Sequence, residues 1–363
     1  MRYSNLLFAL LLFIACSGRN EIKQVTIYPT YGHDAGDHWK IPMRIWVHTP
    51  REGVEKILAK VVAKHFHLSD GEKAIFRHRL KHLVADSRSK QEVRFAFDQD
   101  PNNEAFRIQN SKGGFDSTDL NGIVEGIIEL PKSKAEALLQ QQGSQNDLLS
   151  FRVISAGHDG RGRLRLIPAQ GTAVISDIDD TIKITDIPAG KDTVIVNTFF
   201  REFRAAPGMA ARYQAMADSG YAFHYVSGGP WQMYGTLSEY LIEGAGGFPA
   251  GSFHMKSVPK NLLEPSTWED LYELVEGNAT FEQKIEQISG LLTNFPSRRF
   301  ILIGDSGEKD PEVYVKIREM FGAQVQEIRI RDVVNDREKN PARLAGMTII
   351  DPATGETVGA RLL

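Results

Sequence analysis

Cysteine is almost absent from this sequence, which has one, Cys16, among its 363 residues. A single cysteine cannot form an intramolecular disulfide bond, so the fold has to rely on its hydrophobic core. Hydrophobic residues make up 42% of the chain, which is ample for such a core. The length corresponds to about two domains of ordinary size.

The sequence also lacks a large net charge, because 43 Lys and Arg residues nearly balance 46 Asp and Glu residues. Such a balance provides no strong overall field that would hold nucleic acid or an anionic membrane. We therefore expect no nucleic-acid partner. A local basic patch is still compatible with this sum, since a count of charges does not locate them.

The start of the chain lacks an apolar run long enough to cross a membrane, which takes roughly 20 residues. The apolar run Leu6–Ala15 follows a positively charged Arg2 and has the length of a signal-peptide core. Cys16 comes directly after this run, in a context that resembles a bacterial lipobox. The resemblance implies a signal peptide over residues 1–16, lipidation of Cys16 and a lipid-anchored location in the bacterial cell envelope. An ordinary cleaved signal peptide is the alternative.

Residues 22–168 have the pattern of a β-rich domain. Short apolar-alternating runs separated by Gly-rich turns are typical of a β-sandwich, so we predict a sandwich-like N-terminal domain. One helical interruption is predicted from about Gly53 to Leu83. The predicted strands are Val25–Tyr28, Ile41–His48, Val93–Phe97, Ile123–Leu130, Leu149–Ile154 and Leu164–Ile167.

Residues 170–363 instead alternate between strand and helix patterns. This alternation predicts a second domain with a parallel sheet and helices on both faces. Ligands of such sheets bind beyond the carboxyl ends of the strands. The predicted strands are Ala173–Ser176, Tyr221–Val226, Ser252–Val258, Arg299–Gly304 and Val325–Ile330. The predicted helices are Pro207–Asp218, Trp231–Ile242, Thr267–Val275, Thr280–Leu292 and Pro311–Phe321.

Three carboxylates follow the first of these strands, at Asp177, Asp179 and Asp180. Carboxylates this close together are electrostatically costly unless a cation or solvent compensates their charge. Mg²⁺, which prefers oxygen ligands, is the natural compensating ion. A solvated acidic turn or a helix N-cap is the plainer explanation of the triplet alone.

Two further strand ends carry polar groups. Ser227 is followed by two glycines, so its hydroxyl and the nearby backbone N–H groups are free to face a phosphate. Asp305 and Asp310 supply carboxylates after a later strand, and Lys284 lies on the helix that precedes that strand. Taken singly, each is also explained by a tight turn, a capped helix start or a surface lysine.

Taken in order along the chain, these residues resemble the four motifs of the haloacid dehalogenase (HAD) phosphatase superfamily. Its first motif has the form DxDx(T/V), its second is a Ser or Thr, its third a Lys and its fourth a pair of acids. The matching residues are Asp177, Asp179 and Thr181, then Ser227, then Lys284, and finally Asp305 and Asp310. The resemblance implies a HAD-like Rossmannoid parallel sheet with helices on both faces.

Longer stretches of sequence point to one family within this superfamily. DIDDTIK, FHYVSGGPWQMY and FILIGDSGEKDPEVY look like the fungal and bacterial phosphatidate phosphatase family that carries a DIDDT signature. The resemblance covers about residues 170–335, and the earlier YPTYGHDAGDHWKIPMRIWV is similar to what precedes the catalytic domain in that family. One departure is the glycine after Ser227, where relatives often have Ala or Asn; it leaves the serine in place.

The resemblance implies a Mg²⁺-dependent reaction. Asp177 would attack phosphorus and form an aspartyl-phosphate. Asp179 would protonate the leaving alkoxide and then take a proton from water, with its pKa raised by neighbouring carboxylates. Asp177, the backbone carbonyl of Asp179, and Asp305 would hold the Mg²⁺, while Asp310 orients the groups around it. Glu308 could reach the metal through water.

The remaining motif residues have supporting roles in this interpretation. Ser227 and Lys284 would hold the phosphoryl oxygens and stabilise charge in the transition state. Thr181 would fix the loop, and Asp180 is interpreted as structural. Lys256 is a weaker alternative to Lys284, because Lys284 sits one helix upstream of the fourth motif.

The family resemblance implies phosphatidate as substrate, at a membrane surface, and diacylglycerol and phosphate as products. A phosphatase for other phospholipids or for soluble phosphomonoesters is the alternative, and a non-catalytic envelope lipoprotein that binds through its β domain is a third possibility. Residues 182–205 are short and apolar, so any lid there is small. Trp231, Met233 and Tyr234 form either an apolar rim at the site or part of the core.

Overall fold

A computed structural model of the chain describes residues 21–51, 53–257 and 280–358. This part is a mixed α/β protein with one nine-stranded and one six-stranded sheet. The predicted signal peptide with Cys16 and the predicted helix Thr267–Val275 lie outside the described residues. None of the helices in the described ranges combines the length and apolar character needed to cross a membrane.

From residue 21 onwards, the described N-terminal part contains the nine-stranded sheet and three helices. Its strands are β1 (Lys23–Ile27), β2 (Thr30–Asp34), β3 (His38–Thr49), β4 (Asp86–Ser87), β5 (Phe95–Phe97), β6 (Ile123–Pro131), β7 (Leu148–Val153), β8 (His158–Asp159) and β9 (Arg161–Ile167). Its helices are α1 (Val54–His65), α2 (Asp70–Leu83) and α3 (Lys132–Gln141).

Strand β3 organises this sheet because it is 12 residues long. It pairs with β6 along one edge, and with β2, β1 and β4 at other points of its length. The main strand order is β5-β7-β9-β2-β3-β1-β8. The pairing thus connects the described strands into one sheet, and the predicted sandwich-like arrangement stays a prediction.

The predicted helical interruption consists of two helices, α1 and α2. Helix α2 begins at a capping box, in which the Ser69 side chain accepts from the Glu72 backbone N–H and the Glu72 carboxylate accepts from the Ser69 backbone N–H. This arrangement satisfies backbone donors that a new helix leaves without partners. The apolar periodicity continues across the break, which explains why the sequence pattern indicated one helical stretch.

The C-terminal part contains the six-stranded sheet. Its strands are β10 (Thr172–Ser176), β11 (Ala222–Pro230), β12 (Ser252–Lys256), β13 (Arg299–Asp305), β14 (Val325–Arg331) and β15 (Thr348–Ile350). Its helices within the described residues are α4 (Lys191–Ile195), α5 (Met209–Asp218), α6 (Tyr234–Leu241), α7 (Thr280–Asn294), α8 (Asp310–Phe321) and α9 (Asp336–Lys339). A π-helical turn, Val196–Phe200, continues α4.

All neighbouring strands of this sheet are parallel, in the order β12-β11-β10-β13-β14-β15, which confirms the predicted parallel sheet. Helix α5 begins at Met209 rather than at the predicted Pro207, because Gly208 before it has a left-handed φ of 70°. Strand β15 and helices α4 and α9 are three to five residues long, too short to leave a periodic signal in the sequence.

Alternate residues of the central strands enter two different hydrophobic clusters. Val174 packs with Tyr213 of α5 and Leu237 of α6 on one face. Ile175, which points to the other face, packs with Leu291 of α7 and its neighbours on α8. Successive side chains of β10 therefore point to opposite faces of the sheet, and helices cover both faces.

Aromatic side chains join the two parts of the molecule. The ring centroid of Tyr28, just after β1, lies 4.5 Å from that of Trp231 and 5.4 Å from that of Tyr234. The Arg44 guanidinium lies 4.9 Å from the centroid of the Trp231 ring. Aromatic pairs of this kind contribute about 0.5–1.5 kcal/mol each beyond their burial. Trp231 and Tyr234 therefore contact the N-terminal part through a shared core.

Two histidines and a serine form a buried polar cluster at the same junction. The Ser252 hydroxyl lies 2.7 Å from Nδ1 of His224 and 2.9 Å from Nε2 of His254. Tyr31 of β2 packs edge-on against His224, with ring centroids 5.2 Å apart. Burial lowers the pKa of His254 to about 4 and that of His224 well below its usual value of 6.5.

These lowered pKa values make stability depend on pH. Both imidazoles are neutral in the folded protein, whereas in the unfolded chain they become protonated below about pH 6.5. Unfolding is therefore favoured as the pH falls from 6.5 towards 4. We expect the free energy of unfolding to decrease over this range, with His254 contributing on the order of 2 kcal/mol.

Urea unfolding at a series of pH values measures this dependence. His254→Gln should flatten the pH profile between 6.5 and 4.5 relative to the wild type. Identical slopes for the wild type and for His254→Gln would contradict the prediction.

Candidate active site

The carboxyl ends of three adjacent strands meet where the sequence predicts a site. Asp177 directly follows β10, Ser227 lies within β11, and Asp305 is the last residue of β13. Strand β10 lies between β11 and β13 in the sheet. Residues far apart in the chain therefore share one edge of the sheet, as expected for a parallel fold.

Lys284 lies at the centre of the charged groups. Its Nζ lies 2.8 Å from Asp177 Oδ1, 2.6 Å from Asp310 Oδ1 and 3.3 Å from Glu308 Oε2, and its side chain is 3% exposed. The structure thus places Lys284 beside the first and fourth motifs. The alternative, Lys256, ends β12 and is paired in register with residue 230 of β11.

Three carboxylates at this edge lie close enough together that they could hold a metal ion. Oxygen atoms of Asp177, Asp305 and Asp310 all lie within 4.8 Å of one another. Asp310 Oδ2 accepts a hydrogen bond from the Asp305 backbone N–H at 3.2 Å. A side chain at Gly304 would collide with the Asp310 carboxylate, so only glycine allows this close approach.

Negative charge exceeds positive charge in this cluster. Burial and the neighbouring carboxylates of Asp310, Glu308 and Asp305 raise the pKa of Asp177 well above its usual value, even though Lys284 lowers it. Burial, Asp310 and Glu308 likewise raise the pKa of Asp305. Burial alone would lower the pKa of Lys284, but the surrounding carboxylates raise it well above its usual value.

A divalent cation fits this arrangement. Asp177 Oδ2 is buried and has no hydrogen-bond partner among the described residues. An orphaned carboxylate oxygen next to two further buried carboxylates has the chemistry that Mg²⁺ prefers. Asp305 already accepts hydrogen bonds from the Gly307 and Glu308 backbone N–H groups at 2.7 and 3.2 Å, which fix its orientation.

Asp179 lies apart from this carboxylate cluster. Its Oδ1 is 2.7 Å from Lys183 Nζ and accepts a hydrogen bond from the Thr185 hydroxyl at 2.5 Å. Burial alone would raise the pKa of Asp179, but Lys183 and Thr185 outweigh it and lower that pKa. The expectation that neighbouring carboxylates raise this pKa is therefore wrong, because the nearest charged partner is a lysine.

Ser227 and Thr181 lie at the edge of the cluster. The Ser227 hydroxyl is 3.5 Å from Asp179 Oδ2 and accepts a hydrogen bond from the Gly229 backbone N–H at 3.0 Å. The Thr181 hydroxyl is 3.4 Å from Asp305 Oδ2. These contacts place Thr181 beside a candidate metal ligand and Ser227 beside the candidate acid.

Asp180 shapes the loop that carries the first motif. It has a left-handed φ of 53°, which is uncommon for a residue with a side chain. Its carboxylate accepts from the backbone N–H groups of Thr185, Asp186 and Ile187 at 2.6–2.8 Å. Arg331 donates to its backbone carbonyl at 2.6 Å. This geometry agrees with the structural interpretation of Asp180.

Sequence reasoning missed two members of the site, Lys183 and Thr185. Lys183 is 1% exposed, and its Nζ also lies 2.5 Å from the Thr185 hydroxyl. A lysine in the string DIDDTIK carries no signal of its own, since most lysines are solvated. Its position four residues after Asp179, in a loop that turns back on itself, could have suggested the pairing.

The charge balance predicts that Mg²⁺ stabilises the folded protein. A ligand that binds only the folded state, at 100 times its Kd, adds about 2.7 kcal/mol to the free energy of unfolding. We expect a rise in Tm on addition of MgCl2, and loss of that rise in Asp305→Asn. Differential scanning fluorimetry with exposed Asp218→Asn as matched control measures it, and an unchanged wild-type Tm would count against a metal site.

The segment that carries the candidate site is similar to known phosphatidate phosphatase sequences. Residues 172–332 match the family model described as "Phosphatidate phosphatase APP1, catalytic domain". The phosphatidate phosphatase APP1 of Saccharomyces cerevisiae is 30% identical over 175 residues, which is 47% of this chain and 28% of the yeast protein. An uncharacterized protein of Schizosaccharomyces pombe is 25% identical over 209 residues, which is 56% of this chain and 31% of that protein.

The extent of these matches is limited. The chain spans less than a third of the length of the two yeast relatives. Among solved structures, a β-glucuronidase from Ruminococcus gnavus aligns with 91% of this chain and 47% of its own, at 11% identity and a TM-score of 0.24. A TM-score this low supports no inference about fold or function.

Proposed function

We propose that this protein is a Mg²⁺-dependent phosphatidate phosphatase, because residues 172–332 match the catalytic-domain model of the phosphatidate phosphatase family. Its HAD-like catalytic domain would hydrolyse phosphatidate to diacylglycerol and phosphate through an aspartyl-phosphate intermediate. The observation that carries the proposal is the buried cluster in which Lys284 contacts both Asp177 and Asp310 beyond the carboxyl ends of the strands.

In the first step, an oxygen of Asp177 attacks phosphorus, and the bond between phosphorus and the glycerol oxygen breaks. Lys284 and Ser227 hold the phosphoryl oxygens and offset their developing charge. Asp179 donates a proton to the leaving glycerol oxygen. A bound phosphate dianion beside Asp179 would raise its pKa, which Lys183 lowers in the free protein, and would thus favour the protonated acid.

In the second step, water attacks the phosphorus of the aspartyl-phosphate, and the bond to Asp177 breaks. Asp179, now ionised, accepts the proton of that water. Lys183 and Thr185 favour this ionised form, since they donate to its carboxylate. The two steps therefore need opposite protonation states of one residue, and the transfer of the Asp179 proton to the glycerol oxygen in the first step leaves the carboxylate ionised for the second.

Asp177, Asp305 and Asp310 are the side chains that would hold Mg²⁺, and the backbone carbonyl of Asp179 remains a predicted ligand. Bound there, Mg²⁺ would neutralise the Asp177 carboxylate and the phosphate, which otherwise repel one another. The position of Asp310 in the carboxylate cluster makes it a candidate ligand as well as an orienting group.

Hydrolysis of phosphatidate in mixed micelles tests this function. We expect Mg²⁺-dependent phosphate release, and a loss of at least about 10³-fold in kcat for Asp177→Asn, because the nucleophile is removed. Asp218→Asn makes the same change at an exposed carboxylate and should keep full activity.

Comparison substrates decide between the candidate functions. p-Nitrophenyl phosphate and soluble sugar phosphates measure the phosphatase chemistry without a lipid. Activity on these esters alone would retain Asp177 as nucleophile and reject phosphatidate. A folded, Mg²⁺-loaded protein that hydrolyses none of them would favour the non-catalytic envelope lipoprotein.

We propose further that the protein works at a membrane surface, anchored in the bacterial cell envelope through Cys16. A basic face on helices α1 and α2 supports the membrane part of this proposal. Its cations are Lys56, Lys60, Lys64, Lys73 and Arg77, which line one shallow depression of 520 Å³. The spacing of four residues on α1 places three of them on one side of the helix.

A vesicle-binding assay tests this face. Basic residues near an anionic surface contribute about 1 kcal/mol each, so Lys60→Glu with Arg77→Glu should weaken binding to vesicles containing about 30% anionic lipid by tenfold or more. Lys112→Glu with Lys316→Glu changes the same charge elsewhere and should leave binding intact. Equal binding by both double variants would contradict a role for α1 and α2.

A further inference from the structure

A cavity of 290 Å³ opens beside the candidate acid, and we propose that it binds the apolar part of the leaving group. Its polar end contains Asp179, Lys183 and Thr185. Lys191, Thr198 and Glu308 also line it, and most of its remaining lining is apolar and includes Val194, Phe199, Phe203, Met233 and Leu237. The cavity would therefore take the glycerol and the first acyl methylenes of a phosphomonoester with a lipid-like leaving group.

The position of the cavity assigns it to the leaving group, on the basis of the function proposed above. The group that donates a proton to the leaving oxygen must lie within hydrogen-bond reach of that oxygen. Asp179 both has this proposed role and lines the cavity. The group attached to the leaving oxygen would then enter a cavity that is lined by both charged and apolar side chains.

A neighbouring cavity of 570 Å³ on the Lys284 side has a different character. Its lining is dominated by charged residues, among them Lys309, Glu312 and Arg343. An acyl chain placed there would contact groups that remain hydrated, and little apolar surface would be removed from water. The two cavities share Ile187 and Glu308, and of these two it is the one lined by Asp179 that offers an apolar lining.

The apolar wall is held in place by the N-terminal part of the chain. Arg79 of α2 donates to the Thr198 carbonyl at 2.7 Å, and its guanidinium lies 3.8 Å from the centroid of the Phe203 ring. Phe76, also on α2, packs edge-on against Phe200 with centroids 5.0 Å apart. The cavity is thus preformed, which limits the ordering cost of binding.

The size of the cavity sets the expected chain-length dependence. Small-molecule pockets have volumes of about 300–1,000 Å³, and this one lies at the lower limit. It is too small to enclose two long acyl chains. We therefore expect the headgroup end of the lipid to be bound while the distal chains stay in the membrane.

Straight-chain alkyl phosphonates of increasing length test the inference. Each methylene that enters the cavity should tighten binding by up to about fourfold, followed by a plateau once the cavity is filled. Binding is measured by calorimetry in Mg²⁺ below the critical micelle concentration, and by inhibition of p-nitrophenyl phosphate hydrolysis.

Val194→Trp provides the matched perturbation, since Val194 lines the cavity and is only half-buried. It should shorten the plateau and lower kcat/KM for phosphatidate by about tenfold relative to kcat/KM for methyl phosphate, whose leaving group is too small to reach the apolar walls. Thr193→Trp places the same side chain on the same short helix outside the cavity lining and should behave as wild type.

The outcomes separate this inference from the proposed function. Affinity independent of chain length, or equal losses on both substrates in Val194→Trp, would overturn the cavity assignment even if phosphatidate is hydrolysed. Tighter binding of longer phosphonates with no hydrolysis of phosphatidate would retain the cavity and reject the proposed substrate.

Discussion

The arrangement at the active edge depends on one buried ammonium group among several buried carboxylates. Lys284 contacts Asp177, Asp310 and Glu308, yet the pKa values of Asp177 and Glu308 are still raised. Burying charges is costly unless they are paired, and here the pairing is incomplete. A cation would complete the pairing, so the same charge imbalance that opposes folding of the free chain would favour binding of the proposed Mg²⁺.

The N-terminal part has a structural connection to this site. Tyr28 shares a core with Trp231 and Tyr234, while α2 contacts the π-helical turn through Arg79 and Phe76. The burial of Arg79, which lowers its pKa to about 10, is offset by its contacts with a carbonyl and an aromatic ring. The β-rich part thus supports a wall of the proposed substrate cavity.

The environment of Asp179 shows where motif reasoning reaches its limit. Asp179 lies two residues after Asp177 in the sequence, which suggested that neighbouring carboxylates surround Asp179 and raise its pKa. In the loop, the Asp180 carboxylate accepts hydrogen bonds from three backbone N–H groups and so holds the turn of the chain. Lys183 and Thr185, which follow in this turn, both contact Asp179. The sign of a pKa shift depends on the nearest charge in space, and a spacing along the chain does not specify it.

The sequence by itself determined the parallel sheet, most of its strands and the residues at their carboxyl ends. Period-two and helical patterns are local, and a parallel topology brings strand ends to one edge, so Asp177, Asp305 and Asp310 could be grouped before any distance was known. Lys284, which lies on a helix, joined this group through the family resemblance. Only the tertiary structure decided that Lys183 pairs with Asp179, that Trp231 and Tyr234 join the two parts, and that an apolar cavity adjoins the acid. These depend on side chains brought together from distant segments, whose packing no local pattern encodes.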